Sequence, residues 1–232
     1  MMDTTYCVLH TAYCLLFACA AVAAPAEGVR AVPVDDEPFS AELATVGPDW
    51  QVTFVADATR PVMPAAELVC WGQCGEIRQG HVLALADGGL LVAEVFQADK
   101  EHLTADSDLF GLVDIPLELL AGVVFQLPAD RHARDLLLDR VALDDAESDL
   151  LFLDNGDEVG GQMEAIRDDA IRLSTVVGPV DVETPRIRAL VFNRALVRRR
   201  EPQGLQAIAG FGDGSRLITS RLVVGEESLE IE

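Results

Sequence analysis

Aromatic side chains make up only 6% of the 232 residues. A buried core must therefore be assembled from Val, Leu, Ile and Ala. Basic residues are also scarce: 17 Lys and Arg stand against 39 Asp and Glu, a formal net charge of −22. That balance repels nucleic acid and anionic membrane surfaces, so nucleic acid is not an expected partner. Catalytic signatures are lacking too. There is no G-x-S-x-G, no H-E-x-x-H and no phosphate-binding glycine loop. The spacing of a calcium-binding helix–loop–helix is absent, including its closing Glu. The expectation is a chain that is not an enzyme and holds no cofactor and no metal.

What is present is apolar material, 50% of the chain, enough to bury a core. It begins with "CVLHTAYCLLFACAAVAA", a run of apolar and small residues ending in an A-x-A pattern at Ala21 to Ala23. That is the pattern of a secretory signal peptide over residues 1–23, cleaved between Ala23 and Ala24. It departs from the pattern in its leading "MMDTTY", which carries Asp3 and no base. A lipid anchor at Cys19 is the minor alternative. Export places the mature chain in the periplasm, at the cell surface or outside the cell, with no transmembrane segment.

The mature chain then keeps two cysteines, Cys70 and Cys74, around "WGQ". In an extended strand, residues four apart lie about 13 Å apart, beyond disulfide reach. Two readings stand: a disulfide closed by a turn at Gly72, or two separate thiols. Two cysteines without a second pair or a paired histidine motif make a poor zinc site.

The strongest internal signal is a phrase that occurs twice. "GLVDIPLELLAGVVF" (Gly111 to Phe125) and "GPVDVETPRIRALVF" (Gly178 to Phe192) both open on Gly, carry Val-Asp and a β-branched residue, and close on Phe. Upstream of each lies a hairpin signal, Asp87-Gly88 and Asn155-Gly156, whose glycines permit the positive φ of a type I′ turn. A third hairpin turns at Asp213-Gly214 and leads to "SLEIE", with Leu229 and Ile231 on one face. A fainter unit precedes them. "WQVTFVAD" puts Trp50, Val52 and Phe54 on one face, and "PAAELVCW" spaces from Pro64 to Trp71 as "PRIRALVF" does from Pro185 to Phe192. This spacing assigns Trp71, Phe125 and Phe192 to one aromatic slot.

These readings predict a mainly β chain of tandem small-barrel-like units. The expected divisions are a degenerate β unit over 36–72, a β repeat over 81–126, a linking helix over 129–143, a β repeat over 150–193 and a half repeat over 206–232. In the helix, Ala133, Leu136, Leu137 and Val141 supply the apolar face. The half repeat either closes against a neighbour, giving self-association through an open edge, or marks a fragment.

His81, His102 and His132 sit in no metal or triad motif and read as structural or exposed. The acidic clusters at Asp106 and Asp108, at Asp144 to Asp149 and at Asp154 to Glu158 read as turns, where carboxylates bond their own backbone. Six arginines fall between Arg186 and Arg200. Arg198, Arg199 and Arg200 are the candidate docking patch for an acidic partner; the plainer reading is a solvated connector.

In outline the units resemble the SH3-like and Sm-like small barrels. The segments "LVCWG", "LADGGLLVAEV", "LTADSDLFG", "LAGVVF", "LDNGDEVGG", "IRALVFN" and "GFGDGSRL" carry a closer resemblance. They resemble the N-terminal region of exported bacterial proteins that bear a carbohydrate-binding module further downstream. The resemblance implies an envelope protein or a glycan as partner. The module itself is not in this sequence, so no residue here takes its role. The expected function is a non-enzymatic β scaffold or binding region at the cell envelope. The alternatives are a carbohydrate-binding accessory region and, less favoured, an unrecognised hydrolase.

Overall fold

The computed structural model describes residues 29–56, 61–73, 75–77, 79–167, 169–198, 204–225 and 229–231. The chain is mainly β, with one α-helix among the described residues. It divides into two units, one formed by Met1–Glu76 with Pro202–Glu232 and the other by Ile77–Glu201.

The first unit opens with β1 (Arg30–Pro33), β2 (Phe39–Ser40), β3 (Glu42–Val46), β4 (Gln51–Val55) and β5 (Val62–Pro64). A 3₁₀ turn at Ala65–Glu67 then leads to β6 (Leu68–Trp71). β1 lies between β2 and β6, while β3, β4 and β5 run as an antiparallel meander. Pro64 presets φ at −61° ahead of the 3₁₀ turn. Ala31, Ala41, Val46, Val52 and Phe54 form the core, and Trp50 and Trp71 pack against it. The first described strand begins at Arg30, ahead of the expected boundary at 36. "RAVP" is four residues long and runs into the acidic "DDEP", too short a run for period-two alternation to show.

The second unit contains two strand sets joined by a helix. The first set is β7 (His81–Leu85), β8 (Leu90–Ala98), β9 (His102–Ser107), β10 (Gly111–Pro116), a 3₁₀ turn at Leu117–Leu119, and β11 (Leu120–Val124). After α1 (Arg131–Leu143) comes the second: β12 (Asp149–Leu153), β13 (Glu158–Arg167), β14 (Ala170–Thr175), β15 (Gly178–Glu183), a 3₁₀ turn at Thr184–Arg186, and β16 (Ile187–Val191). The strand order is β10-β9-β8-β7-β11-β16-β12-β13-β14-β15. β11 and β16 are therefore central, and all five residues of β11 are buried. One face meets a core of Leu83, Leu103, Leu120, Leu151, Ile171 and Leu190. The other meets α1 through Val82, Ala121, Val124, Phe152, Ala189 and Val191. Gly122 is required at the centre. A Cβ there would lie 2.3 Å from the Leu190 carbonyl oxygen and 2.6 Å from Val141 Cγ1.

Asp130 caps α1 by accepting the Ala133 N–H at 2.9 Å, an arrangement that stabilises a helix by about 1 kcal/mol. Its inward residues are Leu138 and Val141, with Leu137 half-buried. Leu136, expected on the apolar face, is 56% exposed. The stripe follows Val141 back by one turn to Leu137 and Leu138, which leaves Leu136 on the far side.

The chain re-enters the first unit with β17 (Ala207–Gly210), β18 (Arg216–Thr219), β19 (Leu222–Val224) and β20 (Leu229–Ile231). β17 and β18 form a hairpin, and β19 pairs with both β20 and β3.

The 3₁₀ turns show that the proline count misaligns Trp71. Pro64 and Pro116 precede their turns, whereas Pro185 lies inside its own. Trp71 pairs with Ala31 as Val123 pairs with Leu83. It thus stands two residues short of the place held by Phe125 and Phe192, and it is not in their slot.

Candidate functional site

The two strand sets of the second unit correspond position by position, and corresponding residues meet. Val123 lies opposite Leu190 where β11 pairs with β16. Ala98 lies opposite Ile166 where β8 touches β13. The Phe125 N–H donates to the Arg188 carbonyl at 2.8 Å, and its counterpart, the Phe192 N–H, donates to the Ala121 carbonyl at 2.9 Å. The sets are thus related by a local two-fold arrangement. Differences in chemistry between corresponding positions stand out against that frame.

One difference is polar and buried. β8 shifts register between Val95 and Gln97, and β13 between Met163 and Ala165. Each shift leaves one N–H without a ladder partner. In the first set, His81 Nδ1 accepts it from Val95 at 3.0 Å. In the second, Asp149 Oδ2 accepts it from Met163 at 2.6 Å, and Asp149 Oδ1 accepts the Asn193 N–H at 2.8 Å. Burial pushes the imidazole of His81 below its ordinary value, with Glu94 at 3.7 Å opposing the shift. Burial pushes the Asp149 carboxyl up, and its two backbone bonds oppose that.

The second difference opens a concavity of about 190 Å³, lined by Gln97, Asp99, His102, Thr104, Asp114 and Arg167. In the second set Arg172 bridges to Asp181 with two bonds of 2.7 and 2.8 Å. Thr104 and Asp114 hold the corresponding places, and their contact is a single 3.3 Å bond. Ala165 and Ala170 stand where the first set has Gln97 and His102. The short Thr104 therefore leaves room that Arg172 fills, and polar side chains replace alanines around it. Asp99 Oδ1 accepts the N–H groups of Glu101 and His102 at 2.8 and 2.9 Å, and these hold its carboxyl below the usual range. Opposed charges, an imidazole and a hydroxyl in one open concavity suit a small polar ligand with several hydroxyl groups.

Of the residues singled out in the sequence, His102 lines this concavity, His81 holds a bulge, and His132 is exposed on α1. Asp87 and Asp213 accept the N–H groups of Gly89 and Ser215 at their turns, but of the acidic clusters expected at turns Asp106 lies in β9, Glu158 in β13 and the buried Asp149 in β12. Among the described residues, no three His, Cys, Asp or Glu side chains are grouped to hold a metal ion. Cys70 is an exposed thiol on β6; Cys74 lies outside the described residues, as do Ala23, Ala24 and Cys19. Arg198 forms a 3.5 Å ion pair with Glu118, and its N–H donates to the Glu118 carbonyl at 2.6 Å. Arg199 and Arg200 lie outside the described residues. No described helix is long and apolar enough to cross a membrane.

Gln97, Thr104, Asp114 and Arg167 were not singled out from the sequence. The signal that finds them is the alignment of the two sets strand by strand, with Thr104 against Arg172. No protein family, curated protein or solved structure matches the chain.

Proposed function

We propose that the chain is an exported, non-enzymatic binding region built from tandem copies of one small β unit. The observation that carries this reading is the shared duty of His81 and Asp149. Buried titratable groups with displaced pKa values are the usual candidates for catalysis. Here both sit at corresponding positions and are engaged in holding the N–H of a bulge. Their burial serves the frame. The A-x-A pattern before Ala24 supports export. The test is turnover of a panel of glycan and peptide substrates by the mature chain. The reading expects no turnover that depends on His81 or Asp149; loss of a measured activity in a folded Asp149→Asn variant would overturn it.

The glycan-binding reading is favoured by one specific observation, the polar concavity opened at Thr104. Carboxylates and a guanidinium presented together are the groups that hold sugar hydroxyls. Trp50 and Trp71, both packed against the first unit's core, are not placed as stacking platforms. Thr104→Arg, which imitates Arg172, should abolish binding of a saccharide that the unaltered chain binds; equal binding by the two would remove this reading.

A further inference from the structure

The bulge in β8 turns two neighbouring side chains the same way. Val95 and Ala98 both face the core, so the two residues between them, Phe96 and Gln97, both lie on the outer face. Regular alternation would send one of the two inward. His81 fixes the arrangement by accepting the Val95 N–H. Gln97 lines the concavity, and Phe96 adjoins it, with the two Cα atoms about 3.8 Å apart.

At 58% exposure Phe96 is the most exposed aromatic side chain among the described residues. A lone apolar residue on a surface is ordinary; the place of this one is not. The bulge in β13 presents Glu164 and Ala165 at the corresponding positions, and Glu164 reaches Lys100 at 3.4 Å. A charged residue with an ion-pair partner therefore suits the outer position of this bulge, and an apolar ring is not a demand of the frame. The ring occurs in the set that has the concavity. The set in which Arg172 fills that space has a carboxylate instead.

Across the outer face the polar groups form a row. The antiparallel pair of Ala98 and Ile166 brings Gln97 beside Arg167. Gln97 lies opposite Thr104, and Thr104 opposite Asp114. Gln97 both donates and accepts, Arg167 donates and Asp114 accepts. Phe96 adjoins this row at Gln97.

We infer that Phe96 and the concavity form one site for a pyranose ring. Phe96 takes the C–H face of the sugar, and Gln97, Asp114 and Arg167 take its hydroxyls. The inference rests on the glycan-binding reading and narrows it. The face of an aromatic ring carries partial negative charge and draws weakly positive C–H hydrogens, and the contact removes apolar surface from water. An open-chain alditol offers the same kind of hydroxyls and no such face. The site therefore selects the cyclic sugar.

The probes are methyl β-D-glucopyranoside and methyl β-D-galactopyranoside, each with a C–H face, against glucitol and galactitol. Each is titrated into the mature chain and followed by ligand-observed NMR. At least one pyranoside should bind about tenfold more tightly than its alditol, with saturation transferred most strongly to the ring hydrogens of one face. Phe96→Ala should weaken that pyranoside about tenfold and erase the preference, and Phe96→Trp should restore both. Phe96 is exposed, so both variants should keep the fold, which thermal melting checks. Thr104→Arg separates the two readings. Binding lost in Thr104→Arg yet unchanged in Phe96→Ala would overturn the inference and leave the concavity reading standing. No pyranoside binding by the unaltered folded chain, or equal binding by folded Thr104→Arg, would overturn both.

Discussion

His81 and Asp149 occupy corresponding places in two strand sets, 68 residues apart in the sequence, and each takes the N–H exposed by the same bulge. One position in one frame thus tolerates two side chains of opposite charge type, provided each presents an acceptor. The acceptor is what the backbone demands, since a buried N–H left unpaired costs about 1–3 kcal/mol.

The role of His81 requires the neutral ring, because protonated Nδ1 cannot accept. Its folded pKa lies below the ordinary value of 6.5. The unfolded chain therefore takes up the proton first as pH falls. The stability from this group is present above about pH 6.5 and is lost as pH drops through the folded value. Thermal melts between pH 7.5 and 5 should show that loss. His81→Gln, which keeps an acceptor without titrating, should flatten the profile in this window.

Asp149 has the opposite sign. Burial raises its pKa above 3.8 in the folded chain, so its contribution is complete below that value and declines as pH rises through the folded value. Asp149→Ala leaves the N–H groups of Met163 and Asn193 without partners and should cost about 2–5 kcal/mol in urea unfolding. Asp149→Asn keeps an acceptor and should cost less, about 1–2 kcal/mol.

At the centre of the second unit, Gly122→Ala places a methyl group against the Leu190 carbonyl and Val141. Strands cannot separate there without breaking the pairing of β11 with β16. The expected loss is about 1–3 kcal/mol or more, as for an overpacked core, measured by chemical denaturation.

Thr104→Arg should form a pair with Asp114 like that of Arg172 with Asp181. Both partners of such a pair are exposed, so stability should change by no more than about 1 kcal/mol. A folded variant with the concavity filled is therefore the expected product, checked by its melting temperature and by loss of ligand binding.

The mainly β character was legible because Asp87-Gly88, Asn155-Gly156 and Asp213-Gly214 are local signals with a local cause, although the turns are not the expected type I′: only the glycine of each pair has positive φ, and its N–H closes the turn on the carbonyl of Leu85, Leu153 or Phe211. The pairing of Val123 with Leu190 was not, since nothing near either residue names a partner so far along the chain. Trp71 was misplaced by two residues because proline serves before the 3₁₀ turn at Pro64 and within it at Pro185. Leu136 and Leu138 are both apolar, and only packing against β11 and β16 decides which faces inward. The concavity escaped notice because Thr104 is unremarkable alone; its meaning comes from Arg172 in the corresponding strand.

The most direct test of a non-enzymatic binding region is a glycan panel read for binding and for ligand integrity, with the mature chain and its Thr104→Arg variant side by side. The account predicts that the mature chain binds a subset of saccharides, that the folded variant binds none of them, and that each ligand is recovered intact. Ligand consumed by the mature chain, or binding equal in both proteins, would contradict it.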